Sequence, residues 1–273
     1  MISMNRVFAR YGVNGDPFSK EVDPEDFFVT DDLTLGATRL KASLEGRAGV
    51  VLTAESGAGK TVLWRAVENT LPTGQYRIYY LANSMVNHRD FYRQLSMSLG
   101  LESRATAAAL FAQVSQHIAQ AASEHRMRTI LVLDEAHLLP HAVLSHLHIL
   151  LNFERDSKPW LTLVLIGLPE LKAILTRDAL KSLATRLPTR IALKALDAAG
   201  VREYVTHRLA KAGARSQIFA EDAMLLLAEA TGGVMRKIDT VAWHSLVEGM
   251  STKGTVVDHA AVARAIEDCK DIL

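Results

Sequence analysis

A single cysteine, Cys269, stands among 273 residues. One thiol excludes an internal disulfide and a multi-cysteine metal site, and it fits a reducing compartment. No apolar run approaches the ~20 residues that a membrane helix needs. The stretch Met1 to Arg10 lacks the apolar core of a secretory leader. Aromatics are sparse at 6%, and neither sign of charge dominates, with 31 Lys and Arg against 30 Asp and Glu. Bulk charge therefore names no partner. What is present is the mix of a folded globule, 49% apolar and 22% charged, which excludes a disordered or collagen-like chain. The length allows one large domain or two small ones, burying roughly 70–75% of the unfolded surface.

The charge is unevenly spread. Seven acids and one lysine lie between Asp16 and Asp32, and ten bases and four acids between Glu170 and Arg215. A neutral protein can thus carry a local basic surface, although solvated faces explain the same runs. The opening, Met1 to Asp32, mixes aromatics, acids and turn residues (Gly12, Gly15, Pro17, Asp23, Pro24). It reads as an irregular arm with apolar anchors. Thr34–Glu45 predicts a short helix with Leu35, Leu40 and Leu44 near one face.

From residue 49 to about 194, short apolar runs alternate with helical periodicity. Gly49–Ala54, Arg77–Ala82, Thr129–Leu133, Trp160–Ile166 and Arg190–Leu193 predict strands. Thr61–Asn69, Arg89–Leu99, Thr106–His125 and Ala142–Asn152 predict helices between them. This alternation implies an α/β fold with a parallel sheet flanked by helices. After Asp197 the strand signal stops. Val201–Gly213, Glu221–Thr231, Val234–Gly249 and Asp258–Lys270 predict a small all-helical domain. The expected organisation is an N-terminal arm (1–32), an α/β domain (33–196) and a helical domain (197–273).

Two segments carry chemistry. Ala54-Glu55-Ser56-Gly57-Ala58-Gly59-Lys60-Thr61 follows a predicted strand and opens a predicted helix. It matches the phosphate-loop pattern G-x-x-x-x-G-K-[ST] from Gly59 onward, with Ala54 in place of the leading glycine. Backbone N–H groups of such a loop surround a triphosphate with positive partial charge. Lys60 reaches the β- and γ-phosphates, and the Thr61 hydroxyl ligates Mg²⁺. Ala54 is tolerated if its φ stays below zero. The second segment, Ile130-Leu131-Val132-Leu133-Asp134-Glu135-Ala136-His137, ends a buried strand in two carboxylates, where open α/β sheets bind ligands. Asp134 is placed to hold Mg²⁺ and Glu135 to polarise the attacking water. His137 reads as a helix-start residue or a switch partner. Trp64, Trp160 and Trp243 read as core residues. His141, His146 and His148 lack a cysteine or acid at matching intervals, so no zinc is assigned.

Three arginines complete the candidate set: Arg186 and Arg190 before and within the last strand, and Arg236 in Gly232-Gly233-Val234-Met235-Arg236-Lys237. On the residues alone each reads as an exposed base. With Tyr11-Gly12, Pro17-Phe18, Leu133-Asp134-Glu135-Ala136-His137-Leu138, Leu163 to Leu171 and Tyr204 to Gly213, residues 8–268 resemble the AAA+ ATPases of the ExeA/GspA type. Within that type they are most similar to the transposition regulators of the TnsC/TniB/MuB class. The resemblance implies a P-loop AAA+ fold, ATP and Mg²⁺ as cofactors, and a nucleotide cradle of Glu55, Ser56, Gly57, Ala58, Gly59, Lys60, Thr61 and Val62. It implies Thr61 and Asp134 as metal ligands and Glu135 as the water carboxylate. Arg186 acts on a neighbour's nucleotide, with Arg190 as runner-up, and Arg236 senses nucleotide from the lid. Leu168 stands where the fourth strand of the family usually ends in a polar residue, and with Ala54 this implies slow, partner-stimulated hydrolysis.

The same resemblance implies a cytoplasmic homo-oligomer, ring or helical filament, that assembles on duplex DNA and recruits a transposase, with a target-selector protein as a further partner. The alternatives are a secretion-system ATPase of the ExeA kind and a helicase-loader-like DNA-remodelling ATPase. Because secretion-type relatives continue past the lid into a membrane helix, an ATPase core ending at Leu273 favours the transposition class. Candidate DNA contacts are His88, Arg89 and Arg93, and Lys172, Arg177 and Lys181. Without a base-reading module, phosphate contacts with little sequence preference are expected.

Overall fold

The computed structural model describes residues 4–22, 26–82, 86–251 and 254–273. The predicted turn residues Asp23 and Pro24 lie outside them. In chain order the first elements are α1 (Met4–Tyr11), α2 (Asp31–Glu45), β1 (Val50–Thr53), α3 (Lys60–Glu68), β2 (Tyr76–Leu81), α4 (His88–Ser98) and α5 (Ala107–Ser123). Then come β3 (Arg128–Leu133), α6 (His141–Leu150), β4 (Leu161–Gly167), α7 (Glu170–Leu175), α8 (Lys181–Thr185) and β5 (Thr189–Ala192). The chain ends in α9 (Ala198–Lys211), α10 (Glu221–Thr231), α11 (Met235–Glu248) and α12 (His259–Cys269). Two compact units result: Asp32–Ala54 with Lys60–Leu193, and Met1–Asp31 with Glu55–Gly59 and Lys194–Leu273.

The first unit is built on five strands in the order β2-β3-β4-β1-β5. Every pairing is parallel, with Val50 opposite Val164 and Thr189, and Leu133 opposite Leu81 and Leu165. Parallel strands covered on both faces must be apolar throughout rather than alternating. β1 and β4 are accordingly buried at every position, and β3 from Thr129 onward. At the sheet's edge β2 carries Tyr79 and Tyr80 only partly covered. Phe91, Tyr92, Leu131, Leu144, Leu163 and Leu165 belong to one core. Truncating such a leucine to alanine costs about 2–5 kcal/mol.

Helix starts follow the side chains. Thr106 accepts from the Ala109 N–H at 3.2 Å and caps α5, and Asn87 accepts from the Asp90 N–H at 2.9 Å and caps α4. The predicted face of α2 is corrected: Leu33, Gly36, Leu40 and Leu44 are buried, while Leu35 is 58% exposed. Stepping back from Leu40 by four and seven residues reaches Gly36 and Leu33, so a 3.6-residue period leaves Leu35 off the stripe. A Cβ at Gly36 would lie 3.3–3.5 Å from Leu63, Leu193 and Ile191, so the glycine lets α2 approach α3 and β5 closely.

The second unit corrects the expected irregular arm. Residues 4–11 form a helix, and Val7, Tyr11, Val13 and Phe18 share a core with α9–α12. The arm is tied down by directed bonds as well. The Tyr11 hydroxyl donates to Leu246 O at 3.1 Å, and Asn14 N donates to Ala212 O at 2.7 Å. Arg208 donates through Nε to Pro17 O at 2.7 Å and through Nη2 to Ser19 O at 2.6 Å. Trp243 packs against this core and Phe8, as expected of a core aromatic.

Candidate nucleotide-binding site

β1 delivers the chain into the loop of residues 54–59 and α3 takes it out at Lys60. Lys60 is 8% exposed, and its Nζ donates to Ala54 O at 2.9 Å. The loop's left-handed positions are Gly57 at φ 85° and Gly59 at φ 92°; Ala54 is not among the described residues with positive φ. The substitution of alanine for the leading glycine is therefore compatible with the turn, because an L-residue is hindered only at positive φ. Ala54 N donates to Gly167 O at 3.3 Å, which joins the loop's start to the end of β4. Glu55 and Ser56 are exposed, Ala58 is buried, and Thr61 lies exposed with Val62 half-buried in the first turn of α3.

Within the second unit Arg236 reaches residues 55–59. Its Nη1 donates to Ser56 Oγ at 3.2 Å and its backbone N to Gly57 O at 3.3 Å. A Cβ on Gly57 would fall 2.4 Å from Arg236 Cβ. So Gly57 is required twice, for its φ and for the approach of Arg236. Gly233 is equally constrained, since a Cβ there would lie 1.8 Å from Leu196 O.

Asp134 and Glu135 leave the carboxyl end of β3. Asp134 Oδ1 accepts from the Glu135 N–H at 2.8 Å, and Asp134 Oδ2 accepts from the Tyr80 hydroxyl. Burial, Asp134 and Glu135 hold the Tyr80 hydroxyl above the usual phenol range, so it stays a proton donor. Glu135 takes φ 50° without being glycine, a left-handed conformation that costs about 1–2 kcal/mol. His137 lies in the short turn Ala136–Leu138, with its Nδ1 3.5 Å from Glu135 Oε2 and 3.4 Å from Leu168 N. The motif spacing singled out His137; the contacts of Tyr80 and Leu168 come from strand neighbours far apart in sequence and carry no local signal.

Arg186 precedes β5 at the amino-terminal end of the sheet, the end opposite Asp134. Its Nη2 donates to Asp156 Oδ2 at 2.6 Å and its Nη1 to Ser182 O at 3.0 Å. It lines a cleft of about 410 Å³ with Arg47, Asp156 and Lys158. Arg190 donates to Ala184 O at 3.3 Å. Of the surface bases, Arg89, Lys172 and Arg177 are exposed; Arg93 pairs with Asp90 at 2.9 Å and Lys181 with Asp178 at 2.7 Å. His88 stacks edge-on against Tyr92 and His146 with its Nε2 buried, which suits packing better than a phosphate contact. His146 Nδ1 lies 2.8 Å from the Tyr92 hydroxyl. Among the described residues no group of three or more His, Cys, Asp or Glu could hold a metal ion, and no helix is long and apolar enough to cross a membrane.

A parallel sheet of order 2-3-4-1-5, a glycine loop between β1 and α3, and paired acids after β3 form one arrangement, and residues 43–175 match the family described as AAA domain. The structure of Cdc6p from Pyrobaculum aerophilum superimposes with a TM-score of 0.72 at 18% identity, over 96% of this chain and 72% of that one. The fold is that of the AAA+ P-loop ATPases. The Aeropyrum pernix ORC1 protein, solved in complex with DNA, shares this AAA+ fold with a TM-score of 0.66 at 14% identity, over 92% and 68% of the two chains. The chain is also 30% identical over 265 residues to General secretion pathway protein A of Aeromonas hydrophila. That match covers 96% of this chain and 48% of the relative, so the chain spans about half the length of the protein it matches.

Proposed function

We propose that this protein is a Mg²⁺-dependent ATPase of the ExeA/GspA type. The observation that carries the reading is Lys60, buried at the start of α3 and folded onto Ala54 O inside a loop whose left-handed positions are both glycine. Residues 55–62 cradle the triphosphate through backbone N–H groups, and Lys60 turns from Ala54 O to the phosphates. The hard oxygens of Thr61 and Asp134 suit Mg²⁺, which supplies charge neutralisation at the phosphates when bound. Glu135 orients and accepts a proton from the attacking water. Arg236 reads the phosphate loop through Ser56 and Gly57.

Arg186 serves a neighbouring copy rather than its own nucleotide. It sits beyond the amino end of β1, whereas the loop leaves the carboxyl end about 13 Å further along the strand. The site is therefore completed by homo-oligomerisation. Hydrolysis is slow without a partner, since Leu168 offers only its backbone N–H at the end of β4.

For partners we take duplex DNA, held at phosphates, and a transposase, with a target selector as a further component. The motif resemblance supports this reading, together with exposed Arg89, Lys172 and Arg177. A secretion-linked role for the same ATPase is the second reading, favoured by the 30% identity to General secretion pathway protein A. The test is calorimetry and turnover with MgATP, followed by duplex-DNA binding with an ATP analogue and with ADP. K60A is expected to lose at least tenfold in ATP affinity, and E135Q to bind ATP while losing roughly a hundredfold or more in turnover. Triphosphate-dependent DNA binding that weakens with salt supports the DNA role. ATP-driven assembly indifferent to DNA supports the secretion-linked one, and unaltered ATP binding by K60A overturns the ATPase site.

A further inference from the structure

The end of β4 is cut back at Gly167, and the space is filled by a histidine from β3's exit. A Cβ at Gly167 would lie 3.2 Å from His137 Nδ1 and 3.3 Å from His137 N. His137 is almost wholly enclosed, with its side chain 6% exposed, while Glu135 is 46% exposed and has room to turn. One imidazole nitrogen faces two groups of opposite demand. Leu168 N–H donates to it at 3.4 Å, and the Glu135 carboxylate, which can only accept, stands 3.5 Å away. A ring nitrogen is one or the other, never both. With a lone pair at Nδ1 the ring bonds Leu168 and leaves Glu135 unheld; with a proton there it holds Glu135 and releases Leu168.

We propose that His137 is a positioning residue for ATP hydrolysis, whose Nδ1 alternates between Leu168 N–H and Glu135 and so decides whether that carboxylate is free to activate water. The inference rests on the ATPase reading above. It deepens it by giving Glu135 a controlling neighbour and by tying that control to the β4 end. The same end is bonded to the phosphate loop, through Ala54 N to Gly167 O, and Ala54 O takes Lys60 Nζ. When phosphates draw Lys60 away from Ala54 O, the strand end carrying Leu168 feels the change, and His137 passes it to Glu135. Exchanging the proton between the two ring nitrogens, with the exposed Glu135 side chain turning toward the ring, makes the change.

The experiment pairs kinetics with nitrogen-15 spectra of the histidine rings in the full chain. His137→Leu removes the polar ring atom and is expected to change kcat about tenfold while KM for ATP stays within about twofold, the split expected of a misplaced catalytic group. His137→Asn presents an amide at the place of Nδ1 and is expected to restore most of kcat. In the unsubstituted ring, E135Q should shift the His137 Nδ1 resonance, as should saturation with ADP and inorganic phosphate. Equal kcat in wild type and H137L, or an Nδ1 resonance unmoved by both E135Q and nucleotide, overturns the proposal. If wild type hydrolyses no ATP, the ATPase reading fails on its own, and the ring spectra still decide whether His137 answers to Glu135. The spectra also decide where H137L does not fold.

Discussion

Gly57 concentrates the constraints of the loop into one residue. Its φ of 85° disfavours any side chain, and the nearest atom to an added Cβ would be Arg236 Cβ at 2.4 Å. Gly57→Ala therefore has to move either the loop or α11. The expected result is a loss of at least tenfold in ATP affinity with the global melting temperature little changed, read by titration of a fluorescent ATP analogue. A second residue shows how burial sets a pH dependence. Asp239 accepts from the Tyr204 hydroxyl at 2.7 Å with Arg208 at 3.7 Å, yet burial pushes its carboxyl up to about 6, against the pull of Arg208. The folded chain thus binds this proton more tightly than the unfolded chain, so the ionised carboxylate weakens the fold above about pH 6. The penalty fades as pH falls through about 6 and is gone below the unfolded value near 4. Asp239→Asn, neutral throughout, is expected to gain about 1–3 kcal/mol relative to wild type between pH 4 and pH 8 in urea titrations. A difference independent of pH would dismiss this account.

At the level of elements, the N-terminal arm shows why short helices escape detection. Eight residues offer two turns and only Val7 and Tyr11 as buried positions, too few to establish a period against the aromatic and turn residues that follow. What fixes the arm is distant in sequence: Arg208 on α9 donates to Pro17 O and Ser19 O and to the Tyr204 hydroxyl at 2.9 Å. Arg208→Ala leaves those carbonyls without their charged donor and is expected to destabilise the second unit by about 2–4 kcal/mol. Limited proteolysis should then cut within residues 4–22 well before the rest of the chain; unchanged cleavage would mean that the core contacts of Val7 and Phe18 suffice. The longer elements were readable in advance. α5 was legible from its alanine-rich period and Thr106 cap, and β3 and β4 from their unbroken apolar runs. The short α7 and α8 follow Pro169 and Leu180 with too little periodicity to declare themselves.

At the scale of the whole molecule, Arg186 is the residue that tests whether one copy is enough. It is bonded to Asp156 and Ser182 at the sheet end remote from Asp134. If it acts on a neighbour, R186A and K60A are each inactive alone but complement one another when mixed. The R186A copies keep an intact phosphate loop, and the K60A copies supply the arginine. About a quarter of wild-type turnover is expected from an equal mixture, one interface in four pairing the two intact halves. No recovery in mixtures, with both variants still assembling, would remove Arg186 from the neighbour's site.

The sequence by itself determined where the candidate site lies: a glycine loop ending in Lys60 and Thr61, two acids closing an apolar strand, and a helical tail. These signals are local, because phosphate binding and strand burial are written in consecutive residues and fixed periods. Only the tertiary structure decided which of those groups restrain one another. Tyr80 meets Asp134, His137 meets Leu168, Arg186 meets Asp156, and residues 4–22 close the core of the C-terminal helices. Such contacts join residues dozens or hundreds of positions apart, and what brings them together is parallel strand register and core packing, neither of which leaves a mark in the neighbourhood of any one residue.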